Sequence, residues 1–341
     1  MVPDVALILL GGGFLAALVL GGSMLAAPER LRVVAHPNVR SFHERATPTA
    51  GGLAFVIPTA TYLAWLAWHG SPPALALAAG GVVVAAVGLW DDAREVSSRL
   101  RLVVQALVAA GVAWTLLLPS QESPVAGWLM FVVAVPALVW HVNLFNFMDG
   151  IDGLAATQAL VFAVGAHVVG QGLPGWPGDV LWLLAGSVLG FLVFNWPRAR
   201  VFMGDVGSYF LGLVIAAVAI LLDKENTLAL PVSLILLAGF WFDATYTLIV
   251  RVSTGQTITQ PHRTHLYQKI AAIRGHLWTT VCYLSYAALW LLPLAWLCSR
   301  HVSALTPSAL FWLLPAVAPL AIAAWRLRAG FPDRGLDADA R

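Results

Sequence analysis

The chain has 341 residues, of which 60% are hydrophobic and 11% charged, with mean hydropathy +0.81 and a formal net charge of +2. Soluble globular domains carry about 25% charged residues, so this composition excludes that class. The near-zero net charge says little by itself; its distribution along the chain says more.

Apolar runs of about 20 residues are long enough to cross a bilayer core as helices. Here the runs are continuous and lack the ten-residue alternation of a membrane barrel. In lipid a helix satisfies its own backbone. The expected fold is therefore all-α: one polytopic membrane domain over residues 1–341, without internal repeats.

Eleven such stretches follow one another: Val5–Ala27, Gly51–Trp68, Ala74–Trp90, Leu102–Leu118, Gly127–Val142, Leu154–Gly170, Val180–Phe194, Ser208–Leu222, Thr227–Val250, Leu277–Leu297 and Ala309–Leu327. Internal prolines (Pro136, Pro231, Pro293, Pro315) are tolerated in membrane helices. No basic segment precedes the first stretch, so it is expected to be retained rather than cleaved. Cys282 and Cys298 share the tenth; sixteen helical residues separate them by about 24 Å, too far for a disulfide.

Connecting loops alternate in charge. Segments 28–50, 91–101, 195–207 and 251–276, with the C-terminal tail, hold 17 of the 19 Lys and Arg residues, leaving only Lys224 and Arg300 on the other side. Basic loops stay in the cytoplasm, which places the N-terminus outside and the C-terminus inside. Asp91, Asp92, Asp149, Asp152 and Asp205 sort to the same cytoplasmic face, as do His36, His43, His262 and His265. The other acid of note, Asp243, lies inside the ninth stretch, two turns from Arg251, with which it is expected to pair.

Five polar segments interrupt the cytoplasmic side. Loop 36–52 supplies cations, among them Arg45, and a Pro/Gly-shaped entry into the second stretch. Asp91-Asp92 ends the third stretch, where two adjacent carboxylates call for a nearby cation. Segment 143–153 crowds Asn143, Asn146, Asp149, Gly150, Asp152 and Gly153 between apolar runs; Asp149 and Asp152, three apart, would share a face if helical. A macrodipole preference explains Asp152 alone, not the whole cluster. In 195–208, Gly204 and Gly207 flank Asp205 at a helix start, where free backbone N–H groups would seat a phosphate. Finally, His262-Arg263-Thr264-His265 resembles an anion grip, and its lack of cysteine argues against structural zinc.

Oxygen-only acidic ligands suit a hard cation such as Mg²⁺, with Mn²⁺ an alternative. A cation of that kind with arginines serves phosphoryl transfer, where two anionic groups must be brought together. A transporter or lipid flippase also places charge in the membrane, but its polar groups would sit near the midplane and on both faces. A polyprenyl-diphosphate phosphatase would use similar groups.

With these motifs in this order, roughly over residues 30–275, the sequence resembles the polyprenyl-phosphate N-acetylhexosamine-1-phosphate transferases. That family includes undecaprenyl-phosphate N-acetylglucosamine-1-phosphate transferases and phospho-N-acetylmuramoyl-pentapeptide transferase. The resemblance implies that a polyprenyl phosphate attacks the β-phosphorus of a UDP-N-acetylhexosamine, with Mg²⁺ required, at the cytoplasmic face of a bacterial inner membrane. It implies catalytic roles for Asp91 (candidate base or nucleophile), Asp92, Asp149, His262 and His265. Asp205, Asp92 and Asp149 would hold the metal. Asn146, Asp152, Asn195, Phe202, Arg45 and Arg263 would contact substrate. The expected partners are the two substrates and membrane lipid, with a homodimer possible and no nucleic acid. The spaced histidines differ from the consecutive ones of the muropeptide enzyme and point to surface-polysaccharide initiation. His36 stands where the family commonly has an acid or amide and is assigned no role, and Arg198 stands where a second proline is usual.

Overall fold

A computed structural model describes residues 3–26, 34–35, 47–117, 124–257 and 262–332. Each of the eleven apolar stretches is helical. In chain order the helices are α1 (Pro3–Ala26), α2 (Leu53–Trp68), α3 (Pro72–Arg94), α4 (Ser98–Leu117), α5 (Pro124–Met148), α6 (Leu154–Val169), α7 (Gly175–Asn195) and α8 (Gly204–Lys224). Then come α9 (Leu230–Leu236), α10 (Ala238–Ser253), the short α11 (Leu266–Arg274), α12 (His276–Tyr286), α13 (Leu292–Ser299), α14 (Pro307–Leu310) and α15 (Leu313–Arg326). A π-helical turn, Ala287–Leu291, joins α12 to α13. Between α1 and α2, β1 (Val34–Ala35) pairs antiparallel with β2 (Thr47–Pro48).

Among the described residues, eight spans are long and apolar enough to cross a membrane, nine if the bent α9–α10 pair counts as one. The helices α2 and α6, at 16 residues each, are shorter. Burial grades outward from the middle: 83% of the α8 window is buried and 78% of α7, against 22% for α5 and 17% for α1. The helices α7 and α8 therefore form the centre, and the outer helices present their side chains to lipid.

The ninth stretch is not straight. It bends by 76° between α9 and α10. A broken helix in lipid must find other donors for its freed carbonyls. Here Gln158 Nε2 donates to Leu236 O (3.0 Å) and Trp241 Nε1 to Leu234 O (2.8 Å).

The structure also redraws one boundary. The fifth stretch continues as helix past Val142 to Met148, so Asn143 and Asn146 lie in the last turns of α5 rather than in a loop. The loop proper starts at Asp149, and Asp152 sits in a turn, so the two do not share a helical face.

Candidate active site

The acidic motifs meet where the C-terminal ends of α3 and α5 reach the N-terminal end of α8. This closeness has a local cause. A Cβ on Gly88 would run into the backbone of Asp205, so only glycine lets α3 lie against the start of α8. Gly204 has φ +73°, and its Cα faces Thr49 O and Asp92 Oδ2. A side chain there would be both strained and obstructed.

Asp92 accepts hydrogen bonds from Asp205 N (3.1 Å) and Val206 N (3.4 Å). The first amides of α8 are thus capped by a carboxylate. The expectation that they seat a phosphate is corrected: the favourable helix N-terminus already holds an anion from the protein itself.

Asp205 then projects from the first turn of α8. Asn146 Nδ2 donates to its Oδ1 (2.6 Å) and the Tyr209 hydroxyl to its Oδ2 (3.0 Å). Arg101 pairs with Asp91, lies 3.7 Å from Asp205 Oδ2, and donates to the Tyr209 oxygen (3.0 Å). Asp91 Oδ1 also accepts from Val96 N (2.6 Å). Sequence reasoning placed Asp91, Asp205 and Asn146 here but missed Arg101 and Tyr209. Their signals were present: Tyr209 is one helical turn from Asp205, on the same face, and Arg101 closes the basic loop after Asp91-Asp92.

Asp149 faces the same group. Burial, and then the neighbouring carboxylates of Asp205, Asp92 and Asp152, raise its carboxyl well above the usual range. Asp152 turns away, accepting from Ala199 N (3.1 Å) and pairing with His276 Nδ1 (3.2 Å). Asn195 is buried, with Oδ1 accepting from Gly153 N and Nδ2 donating to Val201 O, both at 3.0 Å. It ties the 149–153 turn to the 195–203 segment. Phe202 is half-buried, and its backbone joins β2 and the entry to α2 through Pro48 O (2.8 Å) and Gly51 N (2.9 Å).

The histidine segment meets the C-terminal end of α5. His265 stacks on Phe147 (centroids 6.2 Å apart) and Tyr267 (5.8 Å), and tilts against His262 (5.0 Å). His262 Nδ1 lies 3.0 Å from Thr264 Oγ1. Burial, with His265 and Arg251 adding like charge, lowers the His262 imidazole to about 3. Arg263 is half-buried beside them. Arg45 lies outside the described residues, as do His36 and His43.

The donor set fits a hard divalent cation in chemistry. Asp91, Asp92, Asp149 and Asp205 would offer only oxygen ligands, and Arg101 pairs with Asp91 beside Asp205. Among the described residues, no three side chains already gather as a metal cage. Magnesium does not need one, since it binds through one or two carboxylates and fills the rest with water and phosphate.

Comparison with known proteins agrees with this architecture. Residues 74–223 match the family described as Glycosyl transferase family 4. The segment contains the Asp91-Asp92, 143–153 and 195–208 motifs. The chain is 29% identical to a Bacillus subtilis (strain 168) protein named as a probable undecaprenyl-phosphate N-acetylglucosaminyl 1-phosphate transferase, over 71% of each chain. It is 31% identical to the decaprenyl-phosphate N-acetylglucosaminephosphotransferase of Mycobacterium leprae (strain TN), over 75% of this chain and 74% of the relative. It is 35% identical to a phospho-N-acetylmuramoyl-pentapeptide-transferase of Synechococcus sp. (strain JA-3-3Ab), over 67% of this chain and 72% of the relative. With the motifs in order and relatives matched over most of their length, this chain belongs to glycosyl transferase family 4, the polyprenyl-phosphate hexosamine-1-phosphate transferases.

Proposed function

We propose that the chain transfers N-acetylhexosamine 1-phosphate from a UDP-sugar to polyprenyl phosphate, releasing UMP. The observation that carries this reading is the Asp205 node, where two polar segments distant in sequence converge, through Asn146 and Arg101, on a carboxylate that Tyr209 of the same helix also holds. In the reaction, an oxygen of the lipid phosphate bonds to the β-phosphorus of the donor. The bond from that phosphorus to the bridging oxygen breaks, and the electron pair leaves on UMP.

Asp205, with Asp92 and Asp149, would hold Mg²⁺ or Mn²⁺, which when bound would neutralise phosphate charge. Arg101, already between Asp91 and Asp205, is placed to exchange a carboxylate for a phosphate oxygen. Asp91 has a backbone amide on one oxygen and a guanidinium on the other, an environment that orients Arg101 better than it frees a nucleophile. A phosphate monoester has a second pKa near 6, so the lipid is already largely a dianion at neutral pH and attacks directly. His262, His265, Arg263 and Arg45 would face the sugar-phosphate end. Asn195, Asp152 and Phe202 would shape the uridine end.

The acceptor lies in the bacterial inner membrane and the chemistry on its cytoplasmic face, as the distribution of Lys and Arg supports. We place the product at the start of surface-polysaccharide synthesis, with UDP-N-acetylglucosamine or a 6-deoxy relative as donor. The spaced histidines and the N-acetylglucosamine-transferring relatives support that donor. A muropeptide donor is the second reading, favoured by the cyanobacterial relative. The test is purified protein with undecaprenyl or decaprenyl phosphate and a panel of UDP-N-acetylhexosamines, including the muropeptide. UMP release with an N-acetylglucosamine-type donor supports the first reading, and efficient use of the muropeptide overturns it.

A further inference from the structure

The expected partner of Asp243 was Arg251, and the structure corrects this. Arg251 instead donates to Gln256 Oε1 (2.9 Å) and Thr257 O (2.7 Å). Asp243, 1% exposed on α10, accepts from Leu266 N (2.8 Å), Tyr267 N (3.0 Å) and the Tyr283 hydroxyl (2.7 Å). Thr247 Oγ1 adds a contact at 3.3 Å, and His265 Nδ1 stands 3.6 Å away.

A carboxylate buried this deeply is costly unless its lone pairs are met by donors. Two of the donors are the first amides of α11, which are orphaned at any helix start. Asp243 therefore sets where α11 begins and, with it, where His265 stands. The arrangement continues toward the acids. Tyr267, fully buried, donates its hydroxyl to Phe147 O (2.8 Å), the residue after Asn146 and two before Asp149. Gly150 faces that hydroxyl so closely that a Cβ there would collide with it.

We infer that Asp243 and Tyr267 form a buried strut that sets the distance between the histidine segment and the Asp149 turn, making Asp243 a positioning residue for the His265 half of the site. This inference rests on the transferase reading for its functional consequence, and on the hydrogen bonds alone for the strut. Asp243→Asn keeps the shape but turns an amide N–H₂ toward a backbone N–H that can only donate, Leu266 N on one side or Tyr267 N on the other. Misplacing a reacting group by about 1 Å can cost about 100-fold in rate.

The test uses the full chain in detergent, with two readouts. Hydrogen–deuterium exchange over 262–270 should rise in Asp243→Asn. UMP release should fall about 100-fold in kcat, while stabilisation by added Mg²⁺ stays as in wild type. Unchanged exchange, or raised exchange with wild-type kcat, overturns the inference. If Asp243→Asn does not fold, Gly150→Ala decides: activity should drop, and Tyr267→Phe should restore part of it, whereas full activity in Gly150→Ala overturns the strut. A wild-type chain that releases no UMP defeats the transferase reading instead, and the exchange readout still reports on the strut.

Discussion

At the scale of single residues, the site is a problem of excess negative charge. Asp205 is held by an amide, a phenol and a guanidinium at once, and groups that hold a ligating carboxylate tune metal affinity by about 10–100-fold. Tyr209→Phe removes one of these. Its half-saturating Mg²⁺ concentration for UMP release should rise about tenfold with kcat largely kept; an unchanged Mg²⁺ titration would show that the phenol only fills space. Asp91→Asn separates two roles. If Asp91 orients Arg101, part of the activity should remain across the pH range. Complete loss at every pH, together with a phosphosugar adduct trapped on wild-type Asp91, would establish a covalent nucleophile. His262 gives a stability prediction. Its folded-state pKa of about 3 lies below the unfolded value of about 6.5, so the unfolded chain takes the proton first. Its contribution is full above pH 6.5 and is lost progressively as pH falls toward 3. The melting temperature of His262→Gln should therefore fall less steeply than wild type between pH 7 and 5.

At this scale the sequence was informative about acids and less so about what holds them. Crowded Asp and Asn residues between apolar runs are conspicuous. A tyrosine or arginine within a membrane helix resembles an ordinary interfacial anchor. Arg101 and Tyr209 became site residues only when α4 and α8 were brought together, and Asp243 changed from an ion pair to a helix cap for the same reason.

At the scale of elements, close helix approach and satisfied backbone carry the site. Gly88 allows α3 to reach the start of α8, and Asp92 caps that start. Gly88→Ala should force the two apart, cost about 1–3 kcal/mol as overpacking does, and lower activity further by moving Asp92 from Asp205. Comparing the melting temperature and kcat of this variant with wild type checks both. The α9–α10 break makes a second case. Gln158→Leu leaves Leu236 O without its donor, which should lower stability by about 1–3 kcal/mol with little change in the Mg²⁺ titration. Each apolar stretch that hydropathy marked is helical, and among the described residues eight of these helices have the length that bilayer thickness imposes. Hydropathy could not show the 76° bend, which depends on donors from α6 and α10. Nor could it show that α5 runs on to Met148, because Asn143 and Asn146 look like loop residues until Gln105 and Asp205 accept their amides.

At the scale of the whole molecule, the account needs a nucleotide sugar from the cytoplasm and a lipid from the bilayer to reach the same carboxylates. The positive-inside rule, applied to the Lys and Arg distribution, would orient the chain accordingly. In a background without Cys282 and Cys298, a cysteine at exposed Glu225 should react with an impermeant thiol reagent from outside, and one at exposed Ser97 should not. The reverse pattern would turn the acids away from the nucleotide.

The central claim is that Asp205 organises transfer of a sugar phosphate from nucleotide to lipid. Its most direct test measures UMP release by purified wild-type and Asp205→Asn protein, with UDP-N-acetylglucosamine, Mg²⁺, and polyprenyl phosphate either present or omitted. Release should require the lipid, yield a lipid-linked sugar in equal amount, and fall by about 100-fold or more in the variant, without recovery at high Mg²⁺. Lipid-independent release, or near-wild-type turnover by Asp205→Asn, would contradict it.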